Sequence, residues 1–394
     1  MQRSKLHVVE LCKAPTQNKA AVAAFFFTFY RADTHNTTDN IQHPLLKKLA
    51  AHCMYPNPAS SSNQNMNSVT RSLQKWLVPA CLALMPMFAS ASSTHPYFVL
   101  NSLDATVSVI DPSTWTERER LPVGKEPHHL YLTPDEKELI VANAAGDSLT
   151  ILDPRTGKFV RSIKNILDPY HLRFSPDMKW FVVAGNRLNH VDIYRWENGQ
   201  PILVKRISTA KTPSHLWIDS KSLRVYATMQ DSDEFIAIDL ATQNLLWRAK
   251  TGAMPADIYG STDDKLVFIG LTGADSVQVF DITGSTPKEV TRIKTGDGAH
   301  AFRAVGDKRH LLVSNRVANT ISKIDMQDLK VVDTYQAPGG PDCMDLSPDG
   351  RYIYLSSRWA RKFTVIDTQT KQVVRQVNVG RSPHGVWTLD HAPR

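Results

Sequence analysis

The chain has 394 residues, 42% hydrophobic and 21% charged, enough apolar material for a large core and too polar overall for a membrane-embedded or disordered polypeptide. Its net charge of +8 sits mainly at the front, because residues 1–91 hold nine of the 46 Lys/Arg and three of the 38 Asp/Glu. The remaining 37 against 35 removes basicity as a reason to expect nucleic acid as a partner.

Taken in chain order, the first readable signal is Met66–Ala91. Arg71 and Lys75 precede an apolar run, Trp76–Ala89, which is interrupted by Pro79 and Pro86 and is too short to span a bilayer. Ala89, Ser90 and Ala91 supply the small residues of a cleavage site, so residues 66–91 read as a secretory signal cleaved after Ala91. The expected product is a periplasmic protein without a transmembrane anchor. Residues 1–65 then precede a segment that ordinarily begins a chain, and are expected to be an upstream extension outside the mature protein. Cys12, Cys53 and Cys81 fall in the leader, which leaves Cys343 as the one mature thiol and excludes an intrachain disulfide.

Three strand-like runs follow, YFVLN, TVSVID and ERERLPV, and then one phrase repeats seven times. The copies begin at Gly124, Ile166, Ala210, Gly252, Gly296, Pro338 and Gly380, spaced by 42 or 44 residues. Each opens on a loop such as EPHHL, DPYHL, TPSHL, MPADI, GPDCM or SPHGV, with Ala299 replacing the proline in GAHAF. A strand, a TPDE- or SPDG-type turn, a β-branched run such as LIVAN or LLVSN, a third run ending in Asp and a fourth polar run complete the unit. Four strands in about forty residues make a propeller blade. The last copy stops after its first strand, and the three N-terminal runs supply the rest. The expected fold is therefore all-β: a seven-bladed β-propeller over residues 92–394, made of four-stranded antiparallel blades and closed by N-terminal strands pairing with the C-terminal strand.

These residues resemble the YVTN-type β-propeller repeat proteins of bacterial envelopes. The resemblance rests on the VLN, VAN and VSN runs, the SPDG turn at Ser347–Gly350 and the Pro-His-Gly-Val phrase at Pro383–Val386, with Gly185 and Leu271 departing from the usual terminal Asn. It implies the fold and leaves activity open, since similar propellers include d1-haem domains, quinoprotein amine dehydrogenase subunits and sugar lactonases.

In a ring, the loops leading into the innermost strands converge at one end of the central tunnel. The two positions after each proline hold His128, Tyr170, Ser214, Ala256, His300, Asp342 and His384, then His129, His171, His215, Asp257, Ala301, Cys343 and Gly385. Six of the ten histidines beyond residue 91 lie at these fourteen positions, where chance would place roughly half a histidine. Shared repeat ancestry explains such recurrence with the imidazoles bonded to neighbouring backbone. The alternative is convergence on a ligand, with His129, His171, His215 and Cys343 as the metal set. A second loop set adds Asn143, Asn186, Arg187, Arg316, Arg358 and Trp359, which suit an anionic ligand. The recurring Asp111, Asp153, Asp239, Asp281, Asp325 and Asp367 should hold turns.

Local catalytic and cofactor motifs such as HExxH, CxxC, CxxCH and the P-loop are absent from the sequence. The reading is thus an exported binding or scaffold protein whose His/Arg/Asn-rich face meets a small anionic ligand or an envelope protein, more in keeping with binding than with catalysis. The alternative is a protein handling a transition metal or d1-type haem, or a lactonase-like hydrolase, on the same face.

Overall fold

A computed structural model describes residues 94–393. The extension and signal assigned to residues 1–65 and 66–91 lie outside the described residues. Among those described, no helix is long and apolar enough to cross a membrane.

Among the described residues, the β-branched runs form 28 strands arranged as seven four-stranded antiparallel sheets. Strands β1 (Tyr97–Asn101), β2 (Thr106–Asp111) and β3 (Thr116–Pro122) share their sheet with the last strand, β28 (Pro383–Thr388). The seam pairs Tyr97 with Thr388, Phe98 with Trp387 and Val99 with Val386. The C-terminus thus supplies the strand that the N-terminal run lacks.

The innermost strands are β4 (Pro127–Leu132), β8 (Pro169–Phe174), β12 (Pro213–Ile218), β16 (Pro255–Gly260), β20 (Ala299–Ala304), β24 (Pro341–Leu346) and β28. Each packs against the next and β28 packs against β4, which closes the ring. Core clusters run between blades: Val182, Ala184 and Ile193 of one meet Leu216, Val225 and Ile236 of its neighbour. A blade buries its two faces only against other blades, so the ring is the smallest stable unit. Fourth strands are the exposed ones, as in Thr116–Pro122 and Gln200–Ser208.

The recurring aspartates hold turns. Asp111 accepts the amide hydrogens of Ser113 and Thr114, Asp153 those of Arg155 and Thr156, and Asp367 those of Gln369 and Thr370.

One feature of the inner strands decides what reaches the tunnel. Their pairing shifts register directly after the first residue, between Pro127 and Leu130 in β4 and between Pro213 and Leu216 in β12, and likewise in the other five. A bulge releases residues from the ladder and re-aims their side chains. Here it does so at both positions after the first residue in six of the inner strands, and at Tyr170 alone in β8, where His171 stays paired with Ala184.

Candidate functional site

The six histidines form one contiguous cluster. Ring centroids lie 3.6 Å apart for His128 and His384, 4.5 Å for His129 and His171, 4.9 Å for His171 and His215, and 5.7 Å for His215 and His300. The Tyr170 ring packs on His128 with centroids 3.9 Å apart and planes tilted by 32°. The rings belong to five different blades. They are buried or nearly so, which moves the site from an open mouth into the interior of the ring.

Burial sets the protonation of the cluster. Desolvation pulls the pKa of His128, His129, His171, His300 and His384 well below the ordinary range, and neighbouring imidazoles or arginines add to it. His215 falls to about 3 for the same first reason, with Arg173 and Arg316 adding. The cluster is therefore neutral and basic in the Lewis sense. His129 Nε2, His171 Nδ1, His215 Nε2, His128 Nδ1 and His300 Nδ1 are buried without a hydrogen-bond partner.

Beside it lies a charged centre. The fully buried Asp342 carboxylate is 2.9 Å from Arg316 Nη2 and accepts a hydrogen bond from Arg358 Nη1 at 3.0 Å. His300 Nε2 and His384 Nε2 stand 3.3 and 3.4 Å from the same carboxylate. Burial works to raise the Asp342 pKa, but the Arg316 and Arg358 guanidinium groups hold it far below the usual carboxylate range. Arg316 Nε is buried with no acceptor, and its Nη2 lies out of line for a hydrogen bond to Asp342.

The sequence-derived metal set does not assemble as expected. His129, His171 and His215 come together as one group with ligand atoms within 4.8 Å of one another. Cys343 joins the other centre instead, with Sγ 3.4 Å from His384 Nδ1 and near Asp342. Burial, then Asp342 and Asp257, push its thiol pKa well above normal.

Other expected ligand residues are engaged in the architecture. Asp257 accepts the Phe302 amide of the next blade at 2.8 Å and its neighbour Ile258 at 2.9 Å. Asn143 is fully buried within its own blade and donates to Ser148 and Thr150, because a strand-end Asn can satisfy the hydroxyls across the ladder. Asn186 donates to the Pro213 carbonyl of the following blade, and Arg187 bonds Asp168 and the Ala144 carbonyl. Trp359 is 52% exposed and lies over Gly340, on the rim. Arg316, Arg358, Asp342 and the six histidines remain as the site.

Sequence reasoning missed Arg173 and the role of Ser214. Arg173 donates to the Leu216 carbonyl, and its charge acts on His129, His171 and His215. Its signal was available, since it stands two residues after His171 in the same repeated phrase. Ser214 Oγ lies 2.9 Å from His215 Nδ1 and orients that ring.

The sequence model of the YncE-like β-propeller family matches residues 64–394, which covers the whole described ring. The chain belongs to this family. YncE of Salmonella typhi is 31% identical over 192 residues, covering 45% of this chain and 51% of that protein, as is YncE of Salmonella typhimurium. The chain thus spans about half the length of the relatives it matches. Among solved structures, the periplasmic gluconolactonase PpgL of Pseudomonas aeruginosa is similar with TM-score 0.63, at 19% identity and with 74% of this chain and 98% of that one covered. The dihydro-haem d1 dehydrogenase NirN is similar with TM-score 0.58, at 18% identity and 79% coverage of both chains. At these identities the likeness to the two solved structures carries the fold alone.

Proposed function

We propose that the protein is an exported, periplasmic binding protein that takes a small carboxylate- or phosphate-bearing anion at the arginine end of its tunnel. The observation that carries the reading is the two-to-one ratio at Asp342. Arg316 and Arg358 converge on one carboxylate, and buried donors of Arg316 have no acceptor. A buried guanidinium without enough acceptors is costly, and an anion relieves it through charge-assisted hydrogen bonds. Other charges do not replace that anion: Arg187 is held by Asp168, and Glu126 acts on Arg358 without a bond to it.

Two alternatives fit this arrangement less well. A planar tetrapyrrole would need the closely packed rings of His128, His384 and Tyr170 to part. Covalent hydrolysis lacks an activated nucleophile, because the Cys343 thiol is held protonated and His384 Nδ1 donates to the His128 carbonyl. Export rests on the signal-like Met66–Ala91 segment.

The test is thermal unfolding in the presence of citrate, gluconate or inorganic phosphate. At least one should raise the melting temperature of the wild type in a concentration-dependent way and leave Arg316→Gln and Arg358→Gln unmoved. Equal shifts in wild type and both variants would sink the reading. N-terminal sequencing of protein from a periplasmic fraction should begin at Ser92.

A further inference from the structure

We propose that His129, His171 and His215 form a binding site for one divalent late first-row transition ion, zinc or copper, inside the ring. The site uses different residues from the anion reading and stands independently of it. Three successive blades contribute one imidazole each from the second position after the proline that opens the inner strand, and the ring centroids lie 4.5 to 5.1 Å apart. Each ring keeps one buried nitrogen without any partner: Nε2 of His129, Nδ1 of His171 and Nε2 of His215. Three orphaned buried nitrogens in one place are rare, because burying an unsatisfied polar group is unfavourable unless something else satisfies it. One ring nitrogen from each histidine lies within 4.8 Å of one from each of the others, and tetrahedral coordination at about 2.0–2.1 Å brings such nitrogens to roughly 3.3 Å, a closure that side-chain rotation can supply.

The surroundings suit a cation ligated by nitrogen. Burial keeps the three imidazoles in the unprotonated form that a metal needs. The charged groups that face them are Arg173 and Arg316 against Asp257 and Asp342, two of each sign, so the ion meets no net repulsion. Ser214 Oγ engages His215 Nδ1 at 2.9 Å, which leaves Nε2 as the ring nitrogen without a partner, and an outer group commonly orients a ligating histidine in this way. An all-imidazole set selects zinc or copper over calcium and magnesium, which require oxygen ligands.

Two overlapping groups are weaker candidates. In the His128, His129 and His384 group, the unengaged Nε2 of His384 is turned to the Asp342 carboxylate at 3.4 Å. In the His300, Asp342 and His384 group, the carboxylate is held by two arginines. His129 belongs to the first of these and to the proposed triad, so the ion can be assigned only by separating the other members.

The experiment loads chelator-treated full-length protein with Zn(II) or Cu(II), removes free ion by gel filtration and measures metal per chain. Cobalt substitution adds a visible-absorption readout of the ligand set. One ion per chain is expected, with retention lost in His171→Gln and His215→Gln but kept in His128→Gln and in the distant His310→Gln. Circular dichroism of each apo variant distinguishes a lost ligand from a lost fold. Failure of the wild type to retain either ion overturns the proposal, as does retention by folded His171→Gln and His215→Gln. Neither result bears on anion binding by Arg316 and Arg358.

Discussion

His384 Nδ1 donates a 2.8 Å hydrogen bond to the main-chain carbonyl of His128, joining the last inner strand of the ring to the first complete blade. The contact is fully buried and crosses the point where the two ends of the chain meet. His384→Ala removes the donor, leaves the carbonyl without it and opens a gap in a stacked array. A loss of ~1–3 kcal/mol is expected in urea unfolding. Trp387→Ala on the same strand should cost more, ~3–5 kcal/mol, because it deletes a large buried ring. If the two variants unfold at the wild-type midpoint, the terminal strand is not closing the ring.

Stability should fall on acidification, and for a definite reason. Each cluster histidine is held neutral in the fold, while in the unfolded chain it binds a proton at its ordinary pKa of about 6.5. Below that pH the unfolded state takes up protons that the fold refuses, so stability decreases as pH falls from about 6.5 toward the folded value, which is about 3 for His215. Above about 6.5 the effect vanishes. Every such histidine adds up to about 1.4 kcal/mol per pH unit in the affected window. Melting temperature measured from pH 7.5 to 5 should decline steeply, and a His128→Asn, His300→Asn double variant should show a shallower decline. A flat profile for the wild type would mean that the cluster is protonated when folded.

The ring was legible because its signal is redundant: seven copies agree on the same strand, turn and aspartate positions, and tertiary packing reinforces each local preference. Convergence of His128, His129, His171, His215, His300 and His384 followed from their shared place in the phrase. How they divide was not legible. The register shift that follows each strand's first residue is a backbone property, and it determines which of two consecutive side chains meets which neighbour. Cys343, aligned with His129, His171 and His215 in sequence, sits beside His384 because its strand, β24, packs against β28 in the ring. Asn143 was misread because a polar strand end ordinarily marks a loop, whereas here its amide is internal to the blade.

The same asparagine explains a glycine. A Cβ added at Gly124 would lie 2.5 Å from Asn143 Cγ, and equivalent approaches recur between Gly380 and Asn101 and, to Cβ, between Gly296 and Asn315. Where the asparagine is replaced by Gly185, the His190 ring fills the space, 2.3 Å from where a Cβ would stand. Gly124→Ala should therefore destabilise by ~1–3 kcal/mol through overpacking. Adding Asn143→Ala should not cost the sum of the two single changes, because the smaller residue relieves the clash. Simple additivity in a double-mutant cycle would show that the glycine is required for some other reason.

Asp342 offers the clearest separation of stability from binding. It is the carboxylate to which both Arg316 and Arg358 are drawn, so Asp342→Asn leaves two guanidinium groups facing a neutral amide. Removing one partner from a buried ion pair typically costs ~3–5 kcal/mol, and a loss of that order is expected in denaturant unfolding at low salt. The uncompensated positive charge should at the same time draw anions more strongly. Phosphate or citrate should recover more melting temperature in Asp342→Asn than they add to the wild type, whereas chloride at matched ionic strength should recover less. That ordering follows if the arginines can accept a ligand in place of the carboxylate, since a bidentate oxyanion matches the planar fork of guanidinium donors and chloride does not. Equal recovery by all three salts would reduce the effect to screening and remove the arginines from the binding site.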